Sequence, residues 1–263
     1  MDGEHRHDRA GRCAIAIMAK APDAGRVKTR LLPVLRPDEA RELSACFLRD
    51  MTDMLAAVGR IAAVDGYIAF APAGSEASFA PMVAPGTAFV LADGAIDAPA
   101  GVVGFGRCLL QAADALFARG YGAVGLLNSD SPTLPAQLIA EAARLLAQPG
   151  DRAVLGPATD GGYYLLALKA PHPELFTDID WSTERVAAQT RAAAHRRGLP
   201  LAEIAPWYDV DDPTSLKQLL RDLDAGGEAP STAAWLERNG IARRLAQTES
   251  ADHTTEHSTT ARR

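Results

Sequence analysis

The feature that most constrains this chain is an alternation, carried through most of its length, of short apolar runs with longer segments whose apolar residues recur at helical spacing. CAIAIMA (13–19) is apolar throughout, as a parallel strand buried on both faces must be. The following DEARELSACFLRDMTDMLAAV (38–58) places Leu43, Phe47, Met51, Met54, Leu55 and Val58 on one face of a helix. GYIAFAP (66–72), TAFVLAD (87–93), GAVGLLNSD (122–130), RAVLGPA (152–158), YYLLALK (163–169) and LAEIAPWYDV (201–210) read as further strands. CLLQAADALFARG (108–120), AQLIAEAARLLAQ behind Pro135, the stretch from Ser182 to Arg197, a segment opened by Pro213, and STAAWLERNGIARRL (231–245) read as helices. Such alternation predicts a three-layer α/β/α fold around a mostly parallel sheet. YYLLALK, entered across a tight glycine turn, is the strand free to run antiparallel. Ligands of sheets of this kind bind beyond the carboxyl ends of the strands.

The absence of an internal repeat or a long linker predicts a single domain over residues 12–246, with polar segments at 1–11 and 247–263 as disordered tails. The 27 Lys and Arg against 33 Asp and Glu leave a net charge of −6, which speaks against a nucleic-acid partner and for small ligands. Cys13, Cys46 and Cys108 are odd in number, far apart and without CxxC spacing, so neither a disulfide framework nor a zinc site is expected, and a cytoplasmic location fits. No apolar stretch approaches about 18 residues, so no membrane partner is expected.

Five polar segments interrupt the pattern where strands should end. AKAPDAGRVKTRL crowds Lys20, Arg26, Lys28 and Arg30 around Gly25 in an otherwise acidic chain. Glycine lets backbone approach an anion and the cations fork onto phosphate oxygens, although a solvated basic loop has the same composition. It is neither GxGxxG nor GxxxxGK[ST], so neither a Rossmann site nor a P-loop is expected. NSDSPTLP sets Asp130 at a strand end, where a carboxylate holds a hard cation or simply forms a turn. GPATDGGYYLLAL puts Asp160 before Gly161 and Gly162, a ligand approach or a plain turn. DIDWST offers Trp181, Ser182 and Thr183 as a platform and two hydroxyls, or as a helix cap. WYDVDDPTSL supplies Asp209, Asp211 and Asp212, one of which could complete a metal site with Asp130, although Asp212 before Pro213 suits an N-cap at least as well; strand alternation would put Asp209 and Asp211 on one face and Asp212 on the other. No His-based constellation and no GxSxG elbow is present.

These five segments, in this order across residues 13–220, resemble a bacterial family of GT-A-type, nucleotide-diphospho-sugar-transferase-like proteins, commonly labelled glycosyltransferases, including some associated with arsenosugar biosynthesis. The wider superfamily also holds nucleotidylyltransferases, such as guanylyltransferases acting on phospholactate or the molybdenum cofactor. The resemblance implies that Gly25, Arg26, Lys28 and Arg30 grip nucleotide phosphates and that Asp130 and Asp211 hold Mg²⁺ or Mn²⁺. It further implies that Asp160, Gly161 and Gly162 line the sugar or acceptor pocket. Lys28 would neutralise leaving-group charge and Asp160 would act as base or position the acceptor, with Trp181, Ser182 and Thr183 beside the substrate. The partners implied are a nucleotide or nucleotide-sugar donor and a small-molecule acceptor. The chain departs from the superfamily in lacking an LAAGxGxRM loop and in carrying a single Asp130 where many glycosyltransferases have DxD. The expected activity is glycosyl transfer from a nucleotide-diphosphate sugar, with nucleotidylyl transfer, or nucleotide binding without catalysis, as the alternatives.

Overall fold

A computed structural model describes residues 8–21 and 27–247. Seven strands form one sheet: β1 (Cys13–Lys20), β2 (Val64–Ala71), β3 (Ala88–Leu91), β4 (Ala123–Leu127), β5 (Ala153–Pro157), β6 (Tyr163–Leu168) and β7 (Leu201–Glu203), in the order β3-β2-β1-β4-β6-β5-β7. β6 is antiparallel to both β4 and β5, and every other pairing is parallel. The strand expected to be able to reverse is the one that does. The larger helices are α1 (Pro37–Val58), α2 (Phe105–Ala118), α3 (Ala136–Leu146), α4 (Val186–Arg197), α5 (Pro213–Asp224) and α6 (Pro230–Arg238).

Alternating side chains of the central strands feed two cores. Ile15 and Ile17 of β1 meet Leu48, Met51 and Leu55 of α1 and Ile139 and Leu146 of α3 on one face. Ala14 and Ala16 face Leu109, Ala113 and Leu116 of α2 and Ala194 of α4 on the other. All of these are almost wholly buried, and each large aliphatic side chain so placed contributes about 1.5–3 kcal/mol against exposure. A third cluster joins Leu31, Leu43 and Phe47 to Leu216 and Leu219 of α5 and Trp235 and Leu236 of α6, so α1 has one apolar side on the sheet and another on the C-terminal helices. Asp50 of α1, 4% exposed, fastens that joint: its two carboxylate oxygens accept the amides of Ser231 and Thr232, both at 2.8 Å, in the first turn of α6.

Four sequence expectations are revised. α4 starts at Val186 rather than Ser182, because Asp178 (φ 55°) and Ser182 (φ 65°) adopt the left-handed region, which no α-helix accommodates. β7 ends at Glu203: Ile204 still donates to Leu155 O, but Pro206 lacks an N–H, and the chain regains the β5 edge only at the Ala158–Trp207 bridge. Asp209, Asp211 and Asp212 therefore lie on a loop, and strand alternation does not assign their faces. The last predicted helix breaks at Asn239 and Gly240 (φ 60°) before residues 241–247 turn helical again. Residues 8–11, expected to belong to a tail, pack on the body, with Arg9 over the Tyr121 ring and Arg9 O accepting from Gly122 N. The rest of the two expected tails, 1–7 and 248–263, lies outside the described residues. Among the described residues no helix is long and apolar enough to cross a membrane.

Candidate active site

The carboxyl end of β4 runs straight into Asn128, Ser129 and Asp130, while the reversed β6 begins at the same sheet edge with Tyr163. The loop after β7 is drawn onto that edge by paired contacts. Val210 N donates to Asp130 O at 2.8 Å, Ser131 Oγ donates to Tyr208 O at 2.9 Å, and Thr133 pairs with the Tyr208 hydroxyl at 3.1 Å. Asp130 and Asp211, 81 residues apart, thereby face one another across a point occupied by the Lys28 ammonium. Lys28 Nζ lies 2.6 Å from Asp130 Oδ1, 2.9 Å from Asp211 Oδ1 and 2.7 Å from Val210 O, and 5.2 Å from the centre of the Phe47 ring. Burial opposes the charge on Lys28, but Asp130 and Asp211 outweigh it and hold the pKa above the ordinary lysine value.

Beside this cluster opens a cavity of about 550 Å³, within the range of small-molecule sites. Of the predicted residues, Arg30, Asp130, Asp160, Gly162, Trp181, Ser182, Thr183 and Asp211 line it. Lys28 sits behind the two carboxylates, its side chain 4% exposed. Gly161 is next to the cavity in a scaffolding position: at φ 93°, with a Cβ that would fall 2.2 Å from Glu184 O, only glycine fits, and its carbonyl accepts the amide of Ala187 in the first turn of α4. Gly25 and Arg26 lie outside the described residues. Asp160 is fixed by its neighbour, since Oδ1 accepts the Gly162 amide at 2.8 Å. Asp212 does not join the cluster. It caps α5, accepting Ser215 N at 2.8 Å, as the alternative for that residue anticipated.

Several lining residues carry functional weight that the sequence did not assign. Asp209 faces the same space, and desolvation together with Asp211, Asp160 and Asp130 pushes its carboxyl up to about 7. Phe105, at the first position of α2, meets Trp181 edge to face at 5.7 Å between ring centres, and Gly106 leaves the room that Trp181 takes, since a Cβ there would stand 2.9 Å from Nε1. Asn128 Oδ1, the Tyr163 hydroxyl and Trp181 Nε1 are buried around this cavity without a hydrogen-bond partner among the described residues. The available signals were adjacency alone: Asn128 precedes Asp130 by two residues, and Tyr163 follows the double glycine directly.

Asp130 and Asp211 offer the hard oxygens that Mg²⁺ or Mn²⁺ takes. The point on which they converge is nevertheless filled by Lys28 Nζ, and among the described residues no set of three His, Cys, Asp or Glu side chains converges on a metal position. The expected divalent ion does not fit between these carboxylates while the lysine is in place.

A family model described as an uncharacterized protein conserved in bacteria, DUF2064, matches residues 54–183. No curated protein matches by sequence. A crystal structure from Desulfovibrio desulfuricans G20, provisionally assigned as a nucleotide-diphospho-sugar transferase, is similar at 28% identity and a TM-score of 0.76, over 89% of this chain and 97% of that one. A CMP:2-keto-3-deoxy-manno-octonic acid synthetase complexed with CTP is similar in fold, at 12% identity and a TM-score of 0.50 over 81% of this chain and 98% of that one. The chain has the nucleotide-diphospho-sugar-transferase-like fold that its motifs led one to expect, and the transferase class expected from them agrees with the likeness.

Proposed function

We propose that the chain transfers a glycosyl group from a nucleotide-diphosphate sugar to a hydroxyl of a small acceptor in the cavity between β4, β6 and the start of α4. The observation that carries this reading is a single cavity that holds the carboxylates of Asp130, Asp160, Asp209 and Asp211 and the side chain of Arg30 beside the Phe105–Trp181 ring pair. Carboxylates accept hydrogen bonds from sugar hydroxyls, and the Phe105–Trp181 pair offers an apolar wall for a sugar ring.

In this reaction Arg30, which lines the cavity, engages the donor diphosphate. Asp160, held by the Gly162 amide, orients the acceptor hydroxyl and takes its proton as the new carbon–oxygen bond forms. The bond from the anomeric carbon to the diphosphate oxygen breaks, and the nucleoside diphosphate leaves with the electron pair. Ser182, Thr183 and Trp181, which line the same cavity, would contact the acceptor in this reading. The test is product analysis with nucleotide-diphosphate sugars and with nucleoside triphosphates plus phosphorylated acceptors. Release of free nucleoside diphosphate in the first mixture is expected; pyrophosphate release confined to the second would replace this reading with nucleotidylyl transfer.

A further inference from the structure

We infer that Lys28 is the resident cation of this site, taking the place between Asp130 and Asp211 that a divalent metal would need. An ammonium has three N–H donors, and each has an oxygen here: Asp130 Oδ1 at 2.6 Å, Asp211 Oδ1 at 2.9 Å and Val210 O at 2.7 Å. No donor is left over to reach a phosphate, so Lys28 does not act as the phosphate grip that its motif suggested. Arg30 lines the cavity in that role.

The lysine is held there by more than charge. Its side chain is 4% exposed, and its ammonium lies 5.2 Å from the centre of the Phe47 ring, a residue with no solvent exposure. Its backbone takes the left-handed conformation (φ 50°, ψ 40°), which a β-carbon tolerates at a cost. That conformation is locked by the turn that follows: Lys28 O accepts Leu31 N at 2.9 Å, and Leu31 is fully buried in the cluster with α1, α5 and α6. Mg²⁺ demands near-octahedral oxygen ligands at about 2.0–2.1 Å. Asp130 Oδ1 and Asp211 Oδ1, which converge on that position, are already bound by the ammonium, and a second cation on the remaining carboxylate oxygens would stand within a few ångströms of a fixed positive charge.

The inference concerns a cation at the carboxylates of the proposed donor site, but its test uses metal alone and does not depend on turnover. Metal-stripped wild type, Lys28→Met, Asp130→Asn and the double variant would be titrated with Mn²⁺, with free Mn²⁺ read by electron paramagnetic resonance and folding by circular dichroism. Wild type is expected to show no Mn²⁺ binding tighter than millimolar, whereas Lys28→Met gains a site at least tenfold tighter that disappears in the double variant. Micromolar Mn²⁺ binding by wild type that is lost in Asp130→Asn would overturn the inference, and so would a folded Lys28→Met that binds no Mn²⁺. If Lys28→Met does not fold, the wild-type and Asp130→Asn titrations decide alone. Failure of the glycosyl-transfer reading would instead show as absent product with every donor, whatever the Mn²⁺ result.

Discussion

The two edges of the same sheet treat acidic side chains in opposite ways. At the amino-terminal edge Asp65 is surrounded by donors: Arg12 binds it through two nitrogens at 2.9 and 2.6 Å, and the Tyr121 hydroxyl, itself paired with Tyr67, donates at 2.9 Å. Burial works against its charge, but these bonds outweigh burial and hold its carboxyl below the usual value. At the carboxyl-terminal edge Asp130, Asp160, Asp209 and Asp211 share one cavity, and Asp209 is pushed up to about 7 by desolvation and by the other three. One edge uses carboxylates to hold strands together. The other keeps mutually repelling acids and unpaired polar atoms in place, a cost borne by the rest of the fold and justified only by a ligand.

Substitutions at the two edges should therefore separate activity from stability. The largest effect is expected from Asp130→Asn, which removes a carboxylate of the cavity and a partner of the Lys28 ammonium and should lower kcat/KM about 100-fold or more, while Asp65→Asn stays within about threefold of wild type. Equal losses in steady-state assays of the two variants would remove the contrast. Gly161→Ala comes next, with about 2–3 kcal/mol lost in urea denaturation, because the new Cβ meets a backbone carbonyl and the φ of 93° disfavours it. A loss under about 0.5 kcal/mol would mean that the turn between Asp160 and α4 relaxes freely.

Asp65→Asn should cost about 1–2 kcal/mol, a figure reduced for the one-third exposure of its side chain. The pH dependence follows from the depressed carboxyl. Its stabilisation is complete above the unfolded value of about 3.8 and fades as pH falls through the lower folded value, so the gap between wild type and Asp65→Asn should narrow in acid and persist at pH 7. A gap that widens in acid would reverse the assignment. The smallest effect is expected from Asp209→Asn, whose stability should be unchanged or higher by up to about 1 kcal/mol, since it relieves like-charge crowding. A drop of more than 1 kcal/mol in its urea midpoint analysis would show that Asp209 is structural.

The fold was legible because periodicity reports burial, and burial is what a three-layer sheet imposes on β1, β4 and β6. The ends of elements were harder to read. The late start of α4 depends on left-handed backbone at Asp178 and Ser182, which composition does not encode, and the early stop of β7 was visible only in Pro206. Within the site, motif adjacency located Asp130, Asp160 and Trp181 in the chain, but the partnership of Lys28 with Val210 and Asp211, more than 180 residues away, exists only once β1, β4 and the loop after β7 share an edge. Tyr163 was passed over, and Asp209 was named without a role of its own, for a related reason: their character comes from desolvation and neighbours rather than from their own type.

The most direct test of the central claim is thermal unfolding of the full chain and of Asp160→Asn against a panel of nucleoside diphosphates and nucleotide-diphosphate sugars. A native-state ligand raises the midpoint, with the logarithm of its affinity. The account expects at least one nucleotide-diphosphate sugar to raise it more than the matching nucleoside diphosphate does, with the sugar-dependent part reduced in Asp160→Asn. A midpoint unmoved by every nucleotide sugar, or raised equally with and without the sugar, would contradict it.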